Sequence, residues 1–101
     1  MPGVFFADEY TLDWRRAIAD SKVFLALVTP HYLTSPVNWD HVAYARLLGK
    51  PIRIALKRGT VLPRGFVGAA ADVQIYEWST RAELKRYVEQ VHREAKKRQV
   101  P

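Results

Sequence analysis

Residues 22–56 read KVFLALVTPHYLTSPVNWDHVAYARLLGKPIRIAL, and this stretch decides the fold. It opens with the apolar run Val23–Val28, whose β-branched and aromatic residues are typical of a strand buried on both faces of a parallel sheet. A loop with two prolines follows, and then a helical segment, roughly Asn38–Leu48, which ends before Gly49. A second apolar run, Ile52–Leu56, comes next. This order predicts the strand–helix–strand unit of an α/β domain.

Strands and helices also alternate on both sides of this stretch. Residues 4–6 and 73–76 are short apolar runs that predict two further strands. Residues 12–21 carry apolar positions at near-helical spacing, and Asp13 is placed to cap a short helix there. We therefore expect one domain over residues 1–101: a small three-layer α/β domain with a parallel sheet of about four strands, right-handed crossovers and helices on its faces.

A basic helix is predicted over about residues 80–98. Thr80 and Glu83 have the spacing of a capping box. The apolar positions recur at intervals of four, three and four residues, which indicates one buried stripe on a charged helix; they are Leu84, Val88, Val91 and Ala95. Between residues 81 and 98 Lys and Arg outnumber Glu by seven to three. This excess complements the helix dipole at its C-terminal end, and it also offers a surface for an anionic partner.

Composition excludes several classes of function. The 101 residues include no cysteine, so a disulfide scaffold, a thiolate zinc site and a cysteine nucleophile are all excluded. The three histidines lack the spacing of a zinc site, and no glycine-rich phosphate loop is present, so no metal and no obligatory cofactor are expected. No apolar run approaches the roughly 18 residues of a membrane helix. The N-terminus lacks a basic leader, and we expect a cytoplasmic protein without a membrane partner.

Candidate ligand-binding residues follow the predicted strands, because ligands of parallel sheets bind at the carboxyl ends of strands. Asp8 and Glu9 follow the first strand, and a carboxylate there can bind a ribose hydroxyl. The loop after the second strand supplies polar side chains, and a basic cluster surrounds the third strand. These further candidates are Thr29, Tyr32 and Ser35 in the loop and Arg53, Lys57 and Arg58 as anion-binding residues.

Four segments in order resemble TIR (Toll/interleukin-1 receptor) domains. Residues 13–21, DWRRAIADS, resemble the helix of that family that ends in Ala-Ile-x-x-Ser. Residues 23–36 resemble its buried strand and Ser-Pro-x-Tyr-x-x-Ser turn, with Thr29 in place of the usual serine. Residues 45–52, ARLLGKPI, are similar to its Ala-x-x-x-Gly-Lys-Pro segment. The resemblance implies a flavodoxin-like fold, self-association or a protein partner, and NAD as a possible ligand or substrate.

Nucleoside deoxyribosyltransferases share part of this pattern, since residues 41–51 are similar to their Glu-Ile-Gly-Tyr-Ala-x-x-x-Gly-Lys-Pro segment. Enzymes of both families place a glutamate where this chain has His41. Cleavage of a glycosidic bond passes through an oxocarbenium-like transition state, which a carboxylate stabilises and an imidazole does not. Asp40 is adjacent, but one helical residue rotates a side chain by roughly 100°.

Three functions therefore stay open. We expect a TIR-like interaction and signalling module that self-associates and has lost catalysis, because His41 replaces the acid. The alternative is an NAD- or nucleoside-cleaving enzyme, with Asp8, Asp40 or His41 as its candidate catalytic residues. A third interpretation is nucleic-acid binding through the basic terminal helix. The chain also has no room for the strand and helix that open a TIR domain, unless residues 4–6 are that first strand, and we therefore expect an open sheet edge.

Overall fold

The computed structural model of the protein describes residues 3–6, 13–68 and 70–98. These residues form four strands and three α-helices, together with a short 3-10 turn at Tyr32–Thr34. In chain order the elements are β1 (Val4–Phe6), α1 (Trp14–Asp20), β2 (Val23–Val28), α2 (Pro36–Leu47), β3 (Ile52–Lys57), β4 (Val73–Trp78) and α3 (Arg81–Arg98). None of the helices in this described part is long and apolar enough to cross a membrane.

All four strands are parallel and lie in the order β1-β2-β3-β4. The predicted α/β class and the sheet of about four strands are therefore confirmed. β2 pairs with β3 over five residues, with Phe24 beside Ile52 and Val28 beside Leu56. Because every strand runs in the same direction, their carboxyl ends meet at one edge of the sheet.

Each face of the sheet is covered by helices, which gives the three layers that the sequence predicts. Alternate residues of β2 point to opposite faces. Phe24 and Val28 pack in one cluster with Ile18 of α1 and Val42 of α2. Val23 and Leu25 point to the other face and join a second cluster with α3, which also contains Ala55, Tyr87, Val91 and Ala95.

The helix ends confirm three predictions about capping. The N–H of Arg16 donates to Oδ1 of Asp13 at 3.3 Å, so Asp13 caps α1. Gly49 has φ +70°, and it ends α2 in the left-handed conformation that glycine adopts without a steric penalty. At α3 the N–H of Glu83 donates to Oγ1 of Thr80 at 3.2 Å, and Oε1 of Glu83 accepts from the N–H of Thr80 at 3.1 Å. This reciprocal pair is the predicted capping box.

Some predicted boundaries were wrong by one or two residues. α2 begins at Pro36 rather than near Asn38, because Ser35 is the N-cap and proline fits the first helical position. β3 and β4 end at Lys57 and Trp78, one and two residues beyond the predicted ends. On α3 the buried stripe includes Tyr87, which stacks on Tyr76 with ring centroids 4.5 Å apart.

The two edges of the sheet differ. β1 is three residues long, and its Val4 and Phe5 side chains are buried between the layers. β4 is six residues long, and Gln74, Ile75 and Glu77 along it are exposed. The first strand therefore lies at an edge rather than in the centre. β4 forms the opposite edge, and no described strand pairs with its outer side.

Candidate functional site

The loop between β2 and α2 lies at the carboxyl edge of the sheet and contains three predicted site residues. Oγ1 of Thr29 accepts a hydrogen bond from the backbone N–H of Tyr32 at 3.1 Å. Nδ2 of Asn38 donates to the carbonyl oxygen of Tyr32, and Nε1 of Trp39 donates to that of Leu33, both at 2.9 Å. The first turn of α2 thus holds the loop in place, and the Thr29 hydroxyl is already engaged within the loop.

Tyr32 turns its side chain inward from this loop. Its ring makes an edge contact with Phe66, with centroids 6.2 Å apart. The Tyr32 hydroxyl is buried without a hydrogen-bond partner among the described residues, and burial raises the pKa of the phenol well above its usual range. The hydroxyl is therefore protonated at any physiological pH. Ser35 caps α2 through its backbone, and its side chain makes no capping hydrogen bond.

His41 is the most unusual polar group in the described part of the chain. It lies in the second turn of α2 and is only 2% exposed. Its ring contacts Trp14 and Phe5, with centroid distances of 4.6 Å and 5.5 Å. Neither ring nitrogen has a described hydrogen-bond partner. Burial lowers the pKa of His41, against a smaller opposing effect of the Asp40 charge, so the imidazole is neutral at pH 7.

No described carboxylate forms a hydrogen bond with either ring nitrogen of His41. Asp40 precedes it on the helix and is exposed to solvent. Asp8 and Glu9, the other candidate acids, lie outside the described residues. Within residues 3–6, 13–68 and 70–98 no group of three or more His, Asp or Glu side chains could hold a metal ion. The described geometry around His41 is therefore an aromatic packing site rather than an acid–base pair.

Arg53, which the sequence groups with Lys57 and Arg58 as an anion-binding residue, lies apart from both and is paired with carboxylates of the chain itself. Its side chain points to the α3 face at the opposite end of β3, about 13 Å along the strand from Lys57. The guanidinium is 2% exposed and binds Glu94 through two nitrogens, with Nε to Oε1 at 2.9 Å. Nη1 also donates to Oδ1 of Asp72 at 2.9 Å. An external anion would have to displace both carboxylates.

Arg98 completes this cluster, which we call the Arg53 network and which comprises Arg53, Asp72, Glu94 and Arg98. Nη2 of Arg98 lies 3.0 Å from Oε2 of Glu94 and 3.4 Å from Oδ2 of Asp72. The two arginines and the two carboxylates therefore form a closed ring of ion pairs. The hydrogen bonds from Arg53 lower the pKa of Glu94 below its usual value. The network connects the C-terminal end of α3 to the start of β3 and β4. Its only sequence signal is a single arginine inside the apolar run of β3.

Lys57 and Arg58 do lie at the carboxyl edge, where β3 ends. Both are exposed, and neither forms an ion pair with a described residue. The N–H of Arg58 donates to the carbonyl oxygen of Trp78 at 2.8 Å, and Nε1 of Trp78 donates to that of Ala55 at 3.1 Å. Trp78 thus connects the ends of β4 and β3 by hydrogen bonds, and its side chain packs against the hydrophobic cluster between the sheet and α3.

Comparison with known proteins supports the fold and little beyond it. No family model matches the sequence, and no curated protein matches it. Among solved structures the chain is similar to the CMP N-glycosidase BcmB of Clostridium botulinum, with 18% identity and a TM-score of 0.63 over 75% of this chain and 67% of that one. At this identity the similarity establishes a shared fold and not a shared reaction. None of these comparisons supports the resemblance to TIR domains.

Proposed function

We propose that this chain is a protein-interaction module that self-associates through the outer edge of β4 and has lost glycosidase chemistry. The observation that carries the proposal is the outer side of β4, with which no strand of the described residues pairs. The sequence resemblance to TIR domains implies self-association as well. Neither ring nitrogen of His41 is hydrogen-bonded to a described carboxylate, which supports the loss of catalysis.

The hydrogen bonds of β4 identify which of its backbone groups are free. The N–H of Ile52 donates to the carbonyl oxygen of Asp72, and that of Arg58 donates to Trp78, both at 2.8 Å. Because residues of a parallel strand bond alternately to its two sides, Val73, Ile75 and Glu77 direct their N–H and carbonyl groups away from β3. In the described part of the chain no strand pairs with this side.

These three outward residues define a preferred register for a second copy. An antiparallel pair centred on Ile75 places Ile75 opposite its own equivalent and Val73 opposite Glu77, and it forms six hydrogen bonds. A shift of the second strand by two residues would leave the outward N–H and carbonyl groups of one residue on each strand without a hydrogen-bond partner. The two-fold axis also brings the two Ile75 side chains together, and each is 52% exposed in the single chain. The interface is therefore self-complementary, as a two-fold dimer requires.

Protective features that usually block such edges are missing from β4. Its sequence, VQIYEW, contains no proline and no lysine, and Glu77 is its only charge. A pair of six-residue strands buries less than the roughly 1,000 Å² of a stable interface. We therefore expect weak association, with a dissociation constant of about 10–500 μM, which is about 5–8 kcal/mol weaker than a nanomolar complex.

Sedimentation velocity over a concentration series tests the proposal. Wild type should shift from monomer towards dimer as its concentration rises, and Ile75→Lys should stay monomeric. The matched control is Leu47→Lys, which places the same charge at an apolar residue on α2 that is 78% exposed. A strictly monomeric wild type at millimolar concentration, or equal loss of dimer in both variants, would refute the proposal.

A second candidate function is cleavage of a nucleotide or of NAD at the glycosidic bond. The fold shared with a CMP N-glycosidase favours it. It requires Asp8, Glu9 or Asp40 to supply the acid that the position of His41 lacks. Incubation of the pure protein with CMP and with NAD, followed by chromatography for free cytosine and nicotinamide, tests this candidate. Turnover that Asp40→Ala, Asp8→Ala or Glu9→Ala abolishes would replace the first proposal of lost catalysis.

A further inference from the structure

The outer face of α3 carries an array of free cations. Six basic residues of the helix are exposed and form no ion pair with a described residue. They are Arg81, Lys85, Arg86, Arg93, Lys96 and Lys97. The helix is 18 residues long, which corresponds to about 27 Å at 1.5 Å per residue.

The folded chain engages two of the three α3 glutamates elsewhere. Oε1 of Glu83 accepts hydrogen bonds from Ser79 and Thr80 in the capping box, and these bonds lower its pKa to about 2. Glu94 binds Arg53 and Arg98 on the side of the helix that faces the sheet. Glu83 stays ionised in the capping box and Glu89 is exposed, so along the helix six cations without a described ion pair stand against two carboxylates.

The cations lie in two rows along the helix. At about 100° per residue, Arg81, Lys85 and Lys96 fall on one side, and Arg86, Arg93 and Lys97 on the other. The exposed line between the rows contains Ala82 and Glu89. The apolar stripe is turned towards the sheet, where Tyr87, Val91 and Ala95 are buried.

This arrangement fits a duplex more closely than other polyanions. No Phe, Tyr or Trp side chain lies on the outer face of α3, so stacking of single-stranded bases has no large aromatic platform there. No large apolar side chain is available there to insert into a lipid surface. The major groove of B-form DNA is about 12 Å wide and admits a helix between its two phosphate backbones, whereas that of A-form RNA is too narrow.

We propose that the outer face of α3 binds double-stranded DNA through its phosphate backbones, with one row of cations directed to each strand. The contacts are electrostatic and carry no base specificity. Four to six phosphate contacts give a slope of log affinity against log salt of about −4 to −5. This binding surface lies apart from the outer edge of β4.

The test uses fluorescence anisotropy with a 20-base-pair DNA duplex of arbitrary sequence at several salt concentrations. The α3 variant combines Lys85→Gln, Arg93→Gln and Lys96→Gln. Its matched control combines Lys57→Gln, Arg58→Gln and Arg64→Gln, which lowers the net charge equally at exposed residues elsewhere. The α3 variant should lose at least about tenfold in affinity, with a slope shallower by about 2.7. The control should lose less than threefold.

Several outcomes of this experiment would overturn DNA binding by α3. Equal losses in the two variants would overturn the proposal, because net charge alone would then explain the binding. Tighter binding to an RNA duplex, to single-stranded DNA or to phosphatidylserine vesicles than to the DNA duplex would also overturn it. Circular dichroism of both variants checks that α3 is still folded. Retained DNA binding by Ile75→Lys would support a surface that is independent of self-association.

Discussion

Substitution of Glu94 by Gln removes one charge from the Arg53 network with almost no change in shape. Arg53 is 2% exposed, so its guanidinium depends on the two carboxylates for compensation. Loss of one partner of a buried ion pair typically costs about 3–5 kcal/mol. Asp72 stays bound to Nη1, and the amide oxygen of glutamine can still accept one hydrogen bond, so we expect a loss of about 2–3 kcal/mol.

Urea denaturation at pH 7 and low salt measures this loss. A change of about 2–3 kcal/mol corresponds to a melting temperature lower by about 10–20 °C for a domain of this size. The slope of free energy against urea should not change, since the surface exposed on unfolding is the same. The matched control, Glu89→Gln, makes the same substitution at an exposed residue of the same helix, and it should change stability by less than about 0.5 kcal/mol.

The pH dependence provides a second measurement on the same pair of proteins. Arg53 lowers the pKa of Glu94 in the folded chain below the ordinary 4.5. The unfolded chain therefore binds the proton first, and the stabilisation is complete above about pH 4.5 and is lost as the pH falls through the lowered pKa. The difference between wild type and Glu94→Gln should shrink accordingly in acid. Equal stabilities of wild type, Glu94→Gln and Glu89→Gln at pH 7 would show that the charge of Glu94 does not stabilise the buried Arg53.

Three further substitutions test other parts of the structure. His41→Phe should change the stability at pH 7 by less than about 1 kcal/mol, because it removes two unpaired nitrogens from an aromatic site. Burial lowers the folded pKa of His41, so wild type should lose stability as the pH falls below the ordinary value of 6.5. Urea midpoints at pH 7 and pH 5 should show a smaller loss in His41→Phe, and an identical loss would contradict this account. Thr80→Ala should cost about 1 kcal/mol by thermal denaturation, since it removes the N-cap of α3, and Thr80→Ser should restore most of it. Lys50→Met should cost about 1–2 kcal/mol, because its ammonium donates to two carbonyl oxygens at the end of α1 at 2.8 Å. The exposed Lys22→Met is the control, and equal effects of the two substitutions would contradict a specific role of the Lys50 ammonium.

The strands and helices of this fold were predictable where a local pattern determines them. The run Val23–Val28 forms β2 with the predicted bounds, because a short β-branched run between polar loops fits a buried parallel strand. Gly49 ends α2 as predicted, since its position needs a positive φ. The start of α2 was harder to predict, because the 3-10 turn before it is held by side chains of the helix itself.

Long-range placement explains why the candidate site was predicted less well. Proximity in sequence places Arg53 with Lys57 and Arg58, but in the structure Arg53 lies at the opposite end of β3 from the other two. Its true partner, Glu94, is 41 residues away, and no local spacing connects them. The burial of His41 depends likewise on packing of Trp14 and Phe5, which only the order of the strands brings together.

Disulfide trapping of a single introduced cysteine tests whether the chain self-associates through β4. The chain contains no cysteine, so Ile75→Cys creates one thiol per molecule. In the proposed register the two Cα atoms lie about 5.5 Å apart, within the range that a disulfide spans. Val73→Cys is the control, because its equivalent lies about four residues further along the antiparallel partner.

Under mild oxidation we expect a cross-linked dimer of Ile75→Cys that forms much faster than any dimer of Val73→Cys. The Ile75→Cys dimer should disappear in urea-unfolded protein. Equal rates for the two variants, or no dimer of Ile75→Cys at concentrations where the wild type self-associates, would contradict pairing centred on Ile75.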